Sequence, residues 1–147
     1  MHRKQAGQRQ RGFTLIELLV VLVILGLLAS VAGPKVISYL GGAKSDTAKL
    51  QTEQFGASLD LYKLETGRYP TTQEGLQALV QQPPGVTGWN GPYLKKKTLP
   101  KDPWGNDYRY ASPGLHGSYD ISSLGADNKE GGEGENKDIN GWEDGKK

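Results

Sequence analysis

The 147-residue chain has no cysteine, so no disulfide can staple it, and its net charge of +2 hides an uneven distribution. Four of its eighteen cations, Arg3, Lys4, Arg9 and Arg11, lie in the first twelve residues without an acid; the remainder is outnumbered by all sixteen acids, which excludes a basic nucleic-acid footprint in the body. The length allows one small domain with an appendage, and because much of the apolar content sits in one block, the rest has only a modest core.

Residues 1–12 read as a basic, polar leader. Residues 13–33 are apolar except for Glu17 and, as a helix, would span about 30 Å, the thickness of a bilayer's hydrocarbon core. Pro34 follows, Lys35 restores charge, and Gly41-Gly42 is a second weak point, so a bend or melted segment is expected over 34–42. Residues 43–65 should form a second helix, with Ala48, Phe55, Leu59 and Tyr62 as its apolar stripe and Gly67 as its stop. Thr71 with Glu74 makes a capping box for a short helix over 71–81, with Leu76, Leu79 and Val80 facing inward and Pro83-Pro84 ending it. A Gly- and Pro-rich loop follows; its LKKKT run reads as a solvated turn, with an interface role as the alternative. The alternating DYRYAS and SYDISS, separated by PGLHG, predict a β-hairpin over about 107–123. The fold class is therefore α+β: a long N-terminal helix, membrane-spanning in its first half, carrying a small antiparallel sheet.

Glu17 poses the chemical question. An acid inside a span costs up to ~2.5–3.5 kcal/mol at mid-depth, less near the end where it sits here. No Lys, Arg or His lies within 13–33 to pair with it. A cut between Gly12 and Phe13 would create a cation, the Phe13 α-amine, one helical turn from Glu17. The carboxylate could then pair with its own amine or with that of a neighbouring chain in staggered register. An ordinary secretory signal, cut near Ser30-Val31-Ala32, and a plain membrane anchor are the competing readings.

The tail is acidic. Residues 127–138 hold Asp127, Glu130, Glu133, Glu135 and Asp138 against Lys129 and Lys137, with three glycines. These are hard oxygen donors suited to Ca²⁺, but an EF-hand template fits only in part, with Asp127 first, Gly132 sixth and Asp138 twelfth. A solvated acidic loop explains the same composition. No enzyme site is legible: His2 is in the leader, His116 is in the hairpin loop, and nothing gathers Ser, Asp and His. Trp89, Trp104 and Trp142 read as core or loop anchors.

RGFTLIELLVVLVILGLLA, with its basic leader, Gly12, Phe13, Thr14-Leu15-Ile16-Glu17 and Pro34, resembles the leader and mature N-terminus of type IV pilins and type II secretion pseudopilins. The stretches AKLQTEQFGASLDLYKLETGRYPTTQEGLQALV, GPYLKKKTLPKDPWGNDYRY and YDISSLGADNKEGGEGENKDINGW resemble the major pseudopilins of type II secretion systems. The lack of cysteine points away from the many type IV pilins that close their C-terminal region with a disulfide, and minor pseudopilins usually lack this body. The resemblance implies that a prepilin peptidase cuts between Gly12 and Phe13 and methylates Phe13, that Glu17 acts in assembly, and that the chain is a non-enzymatic inner-membrane subunit with a periplasmic head. It implies polymerisation into a pseudopilus, with minor pseudopilins at the tip and a membrane platform and ATPase supplying the work. It also implies one Ca²⁺, held by the Leu124 carbonyl, Asp127 and Asp138, with Asn136 a weaker candidate; Lys137 stands where some relatives have an acid. A type IV pilus major pilin, a single-pass membrane-tethered calcium-binding module and a secreted calcium-binding domain are the alternatives.

Overall fold

The computed structural model describes residues 11–143, so most of the expected leader, 1–12, lies outside the described residues. One α-helix, α1, runs from Leu15 to Thr66. Three short strands follow, β1 (Arg109–Ala111), β2 (Asp120–Ser123) and β3 (Ile139–Asn140), in one antiparallel sheet of order β1-β2-β3. The chain divides into two compact units, Met1–Ile37 and Ser38–Lys147.

In the first unit the apolar side chains of α1 are exposed, from 48% at Val21 to 89% at Leu15, and so is Phe13 just before it, at 89%. Helix α1 is long and apolar enough to cross a membrane. The expected melted segment over 34–42 and the separate helix over 43–65 are corrected: helical structure is continuous through Pro34, Gly41 and Gly42. Proline forfeits the single hydrogen bond to the carbonyl four residues back, and the helical residues on either side carry α1 through that gap.

The second unit holds the core. Ala48, Thr52, Phe55, Leu59 and Tyr62 recur at three- and four-residue steps along α1 and are all buried, so one helical face meets the rest of the head. Phe55, Leu59 and Tyr62 cluster with Leu76, Ala78, Leu79, Val86 and Ile121. Aromatic edges close the flanks, with Phe55 against Tyr108 at 5.2 Å and Tyr62 against Tyr93 at 5.7 Å. Trp89 packs against this cluster and its indole N–H donates to the Ala78 carbonyl at 2.8 Å. Gly67 ends α1 at φ +88°, and its N–H donates to the Lys63 carbonyl at 2.8 Å, an αL cap that a side chain would strain.

The capping box forms, but the helix expected over 71–81 does not. The Thr71 N–H donates to Glu74 Oε2 at 2.8 Å and the Glu74 N–H to Thr71 Oγ1 at 3.2 Å. Gly75 then adopts φ +63°, ψ −169°, which is not helical, so a turn is followed only by a 3₁₀ segment, Leu76–Leu79. Leu76 and Leu79 are buried, whereas Val80 is half-buried. Strand β3 pairs Ile139 with Ser123 and Asn140 with Ser122. It has two residues, too few for an alternating pattern to announce it.

Candidate functional site

Two regions carry the residues singled out by the sequence. The first is the start of α1. With Gly12 still joined to Phe13, Glu17 and Thr14 form a reciprocal capping box. The Thr14 N–H donates to Glu17 Oε2 at 3.3 Å, and the Glu17 N–H donates to Thr14 Oγ1 at 3.2 Å. The carboxylate thus satisfies a helix N-terminus through one oxygen, and Oε1 has no hydrogen-bond partner among the described residues. Gly12, Phe13 and Glu17 are all exposed.

The second region is the acidic loop over 124–138. Its entry is fixed by a brace that sequence reasoning missed. Asp102, 4% exposed, accepts from the Trp104 and Asn106 N–H groups through Oδ1 at 3.1 and 2.8 Å, and from the Ser123 hydroxyl through Oδ2 at 2.6 Å. Ser123 Oγ in turn accepts from the Gly125 N–H at 3.2 Å, and the Asn106 side-chain amide donates to the Gly125 carbonyl at 2.9 Å. The signal available was the turn-forming DPWGN run, whose first residue is an Asx-turn former.

Within the loop the five acids do not share one centre. Glu130 lies 3.8 Å from Arg109 of β1, and Glu135 lies 3.9 Å from Lys44 of α1. Asp127 is exposed and its Oδ1 accepts from the Lys129 N–H at 3.1 Å. Asp138 Oδ2 accepts from the Gly131 N–H at 2.9 Å, while Asp138 Oδ1 is buried with no partner among the described residues. Leu124 is buried, and Asn136 is exposed with its N–H donating to the Glu133 carbonyl at 3.1 Å. Among the described residues no three His, Cys, Asp or Glu side chains come together to hold a metal. A cation here would therefore rest on two carboxylates and main-chain carbonyls. The orphaned Asp138 oxygen fits that role, since a buried carboxylate oxygen without a donor calls for a cation. Gly125 and Gly132, at φ +66° and +97°, let the carbonyls of residues 135 and 136 come close; a Cβ at either would sit 2.6 Å from a carbonyl oxygen.

The hairpin loop is held by one side chain. Asp120 accepts from the Leu115 N–H at 2.8 Å and the His116 N–H at 3.2 Å, and His116 Nδ1 is 2.9 Å from Oδ2. Burial opposes the charge on Asp120, but the His116 ring and the two amides outweigh it and hold the carboxyl below its ordinary range. The His116 ring stacks on Trp142 at 4.2 Å.

A membrane-length apolar helix whose later turns bury one face under a small antiparallel sheet, with an acid capping its first turn, defines a pilin-like protein. The comparisons specify the kind. The family model described as type II secretion system protein G matches residues 35–142, and that of the prokaryotic N-terminal methylation motif matches residues 7–33. The chain is 50% identical to the type II secretion system core protein G of Pseudomonas aeruginosa, covering 97% of this chain and 99% of that one. It is 47% identical to the core protein G of Vibrio cholerae, over 92% and 93% of the two chains. Among solved structures, the major pseudopilin of enterohaemorrhagic Escherichia coli superposes with a TM-score of 0.62 at 34% identity, covering 71% of this chain and 87% of that one. The chain belongs to the type II secretion protein G family, and it is a structural subunit of a pseudopilus.

Proposed function

We propose that this subunit is held in the bacterial inner membrane by the first part of α1, with its head in the periplasm, and polymerises into a pseudopilus that drives folded proteins through the outer membrane. The observation that carries this reading is an apolar, exposed start to α1 on a chain that otherwise matches the protein G family over residues 35–142. Such a surface is stable only in lipid or against other such helices. A prepilin peptidase cuts between Gly12 and Phe13 and methylates Phe13. The free oxygen of Glu17 then takes the new amine, its own or a neighbour's. Minor pseudopilins at the tip, a membrane platform and its ATPase are the remaining partners. The role is structural and requires no catalytic group.

One Ca²⁺ closes the acidic loop. Asp127, Asp138 and the Leu124 carbonyl are its ligands, with Asn136 as a further donor, and the unpartnered Asp138 oxygen supports this choice. A bound divalent cation would neutralise that oxygen and hold the two ends of the loop together.

The test is co-production with an assembly platform, ATPase and prepilin peptidase, followed by mass spectrometry of the N-terminus and electron microscopy of sheared material. N-methylated Phe13 and short filaments are expected, and Gly12→Val should leave the precursor uncut. A processed chain that never forms filaments would leave only a membrane-tethered module.

A further inference from the structure

Two adjacent glycines in α1 have different surroundings. Gly42 is exposed, and a Cβ built there would have no atom within 4 Å. Gly41 is buried, and a Cβ there would lie 2.6 Å from Glu135 Cγ, 3.1 Å from its Cδ and 3.3 Å from its Oε1. The acidic loop thus lays the stem of Glu135 across the bare backbone of Gly41, and the carboxylate reaches Lys44 one turn on at 3.9 Å. The main chain of Glu135 is fixed from the other side: its carbonyl accepts the Ala126 N–H at 2.8 Å and lies where a Cβ on Gly125 would be.

We propose that Gly41 is a notch on α1 that seats Glu135, and that this seat positions the acidic loop for cation binding. Glu135 is a positioning residue and not a ligand. Its carboxylate is turned to Lys44, and its backbone joins the two ends of the loop through Ala126. Seating its side chain restrains the chain between Gly134 and Lys137, the stretch that leads into Asp138. Glycine in a helix interior is unfavourable relative to alanine. At Gly42 nothing among the described residues offsets that, whereas at Gly41 the close approach of Glu135 does. The cation part of the proposal rests on the calcium reading above; the notch itself does not.

The full chain in detergent micelles is the test object, with Gly41→Ala, Gly42→Ala, Glu135→Ala and the double variant Gly41→Ala/Glu135→Ala. Two readouts are needed: hydrogen exchange of the Ala126 amide in chelator, and the calcium concentration at half-maximal thermal stabilisation. Gly42→Ala should match the wild type in both. Gly41→Ala should speed exchange at Ala126 and raise the calcium midpoint, each by about three- to tenfold. Glu135→Ala should do the same, and adding Gly41→Ala to it should change nothing further, because both remove one contact. If Gly41→Ala and Gly42→Ala are alike at Ala126, the notch is refuted. If the wild type shows no calcium effect, the cation reading falls, and the exchange comparison still decides the notch.

Discussion

Two side chains of the head show how much of its stability rests on single charged groups. Glu74 makes a two-pronged contact with Arg68, Oε2 to Nη1 and Oε1 to Nη2, both at 2.7 Å. The Arg68 hydrogen bonds, helped by the Thr71 N–H, bring the Glu74 carboxyl down to about 2, against a partial burial that pushes it up. A carboxyl depressed on folding stabilises above its unfolded value of about 4.3, and that stability is lost as pH falls toward its folded value. Glu74→Gln should therefore cost about 1 kcal/mol at pH 7, since Arg68 is partly solvated, and the gap to the wild type should shrink between pH 5 and 2.5. Thermal melts across that range check both the size and the direction; a gap independent of pH would assign the cost to packing. Asp102 is the more severe case. Its replacement by Ala strands the Ser123 hydroxyl and the Trp104 and Asn106 amides, so a loss of about 2–4 kcal/mol in denaturant unfolding is expected.

Among the elements, those with a strong period or a strong cap were legible, and those shaped by long-range packing were not. The stripe of Ala48, Phe55, Leu59 and Tyr62 and the stop at Gly67 could be read directly, because burial and an αL cap leave local marks. The break in the helix over 34–42 was misread because Pro and Gly report only what the isolated backbone prefers; Gly41 in fact answers to Glu135, nearly a hundred residues away. The short helix was misread because its capping box, a sound signal, is followed by Gly75 in a conformation no helix allows. The start of α1 supports a direct prediction. Glu17→Ala removes a polar group, so membrane insertion, scored by alkaline extraction, should be unimpaired. Filament yield should fall by about tenfold or more if the Phe13 amine released by the proposed cut loses its counter-ion; normal filaments would remove Glu17 from assembly. In the acidic loop, Asp138→Asn deletes the charge of the carboxylate whose Oδ1 is buried without a partner among the described residues. Calcium at a hundredfold excess over its dissociation constant should stabilise the wild type by about 2.7 kcal/mol, and most of that rise in melting temperature should vanish in the variant.

For the molecule as a whole, composition and period made a basic N-terminus, an apolar span with one acid and an α+β body legible, and the class of protein became legible through the resemblance of RGFTLIELLVVLVILGLLA and the body stretches to pseudopilins. The arrangement of the acids was not, since the acidic tail could be counted but its division among Arg109, Lys44 and the loop's own amides depends on where the sheet and helix bring partners. The sheet order β1-β2-β3 follows the order of the chain, and this has a bearing on timing. A chain delivered N-terminus first can fold its helix, then zip β2 onto β1 across the hairpin. Strand β3 must wait for the whole acidic loop to emerge, and its two residues recover little of the entropy spent in closing that loop. On that order the head finishes folding at its last-made strand, so a subunit arrested during synthesis would present a nearly complete core with the edge of β2 still open to other chains.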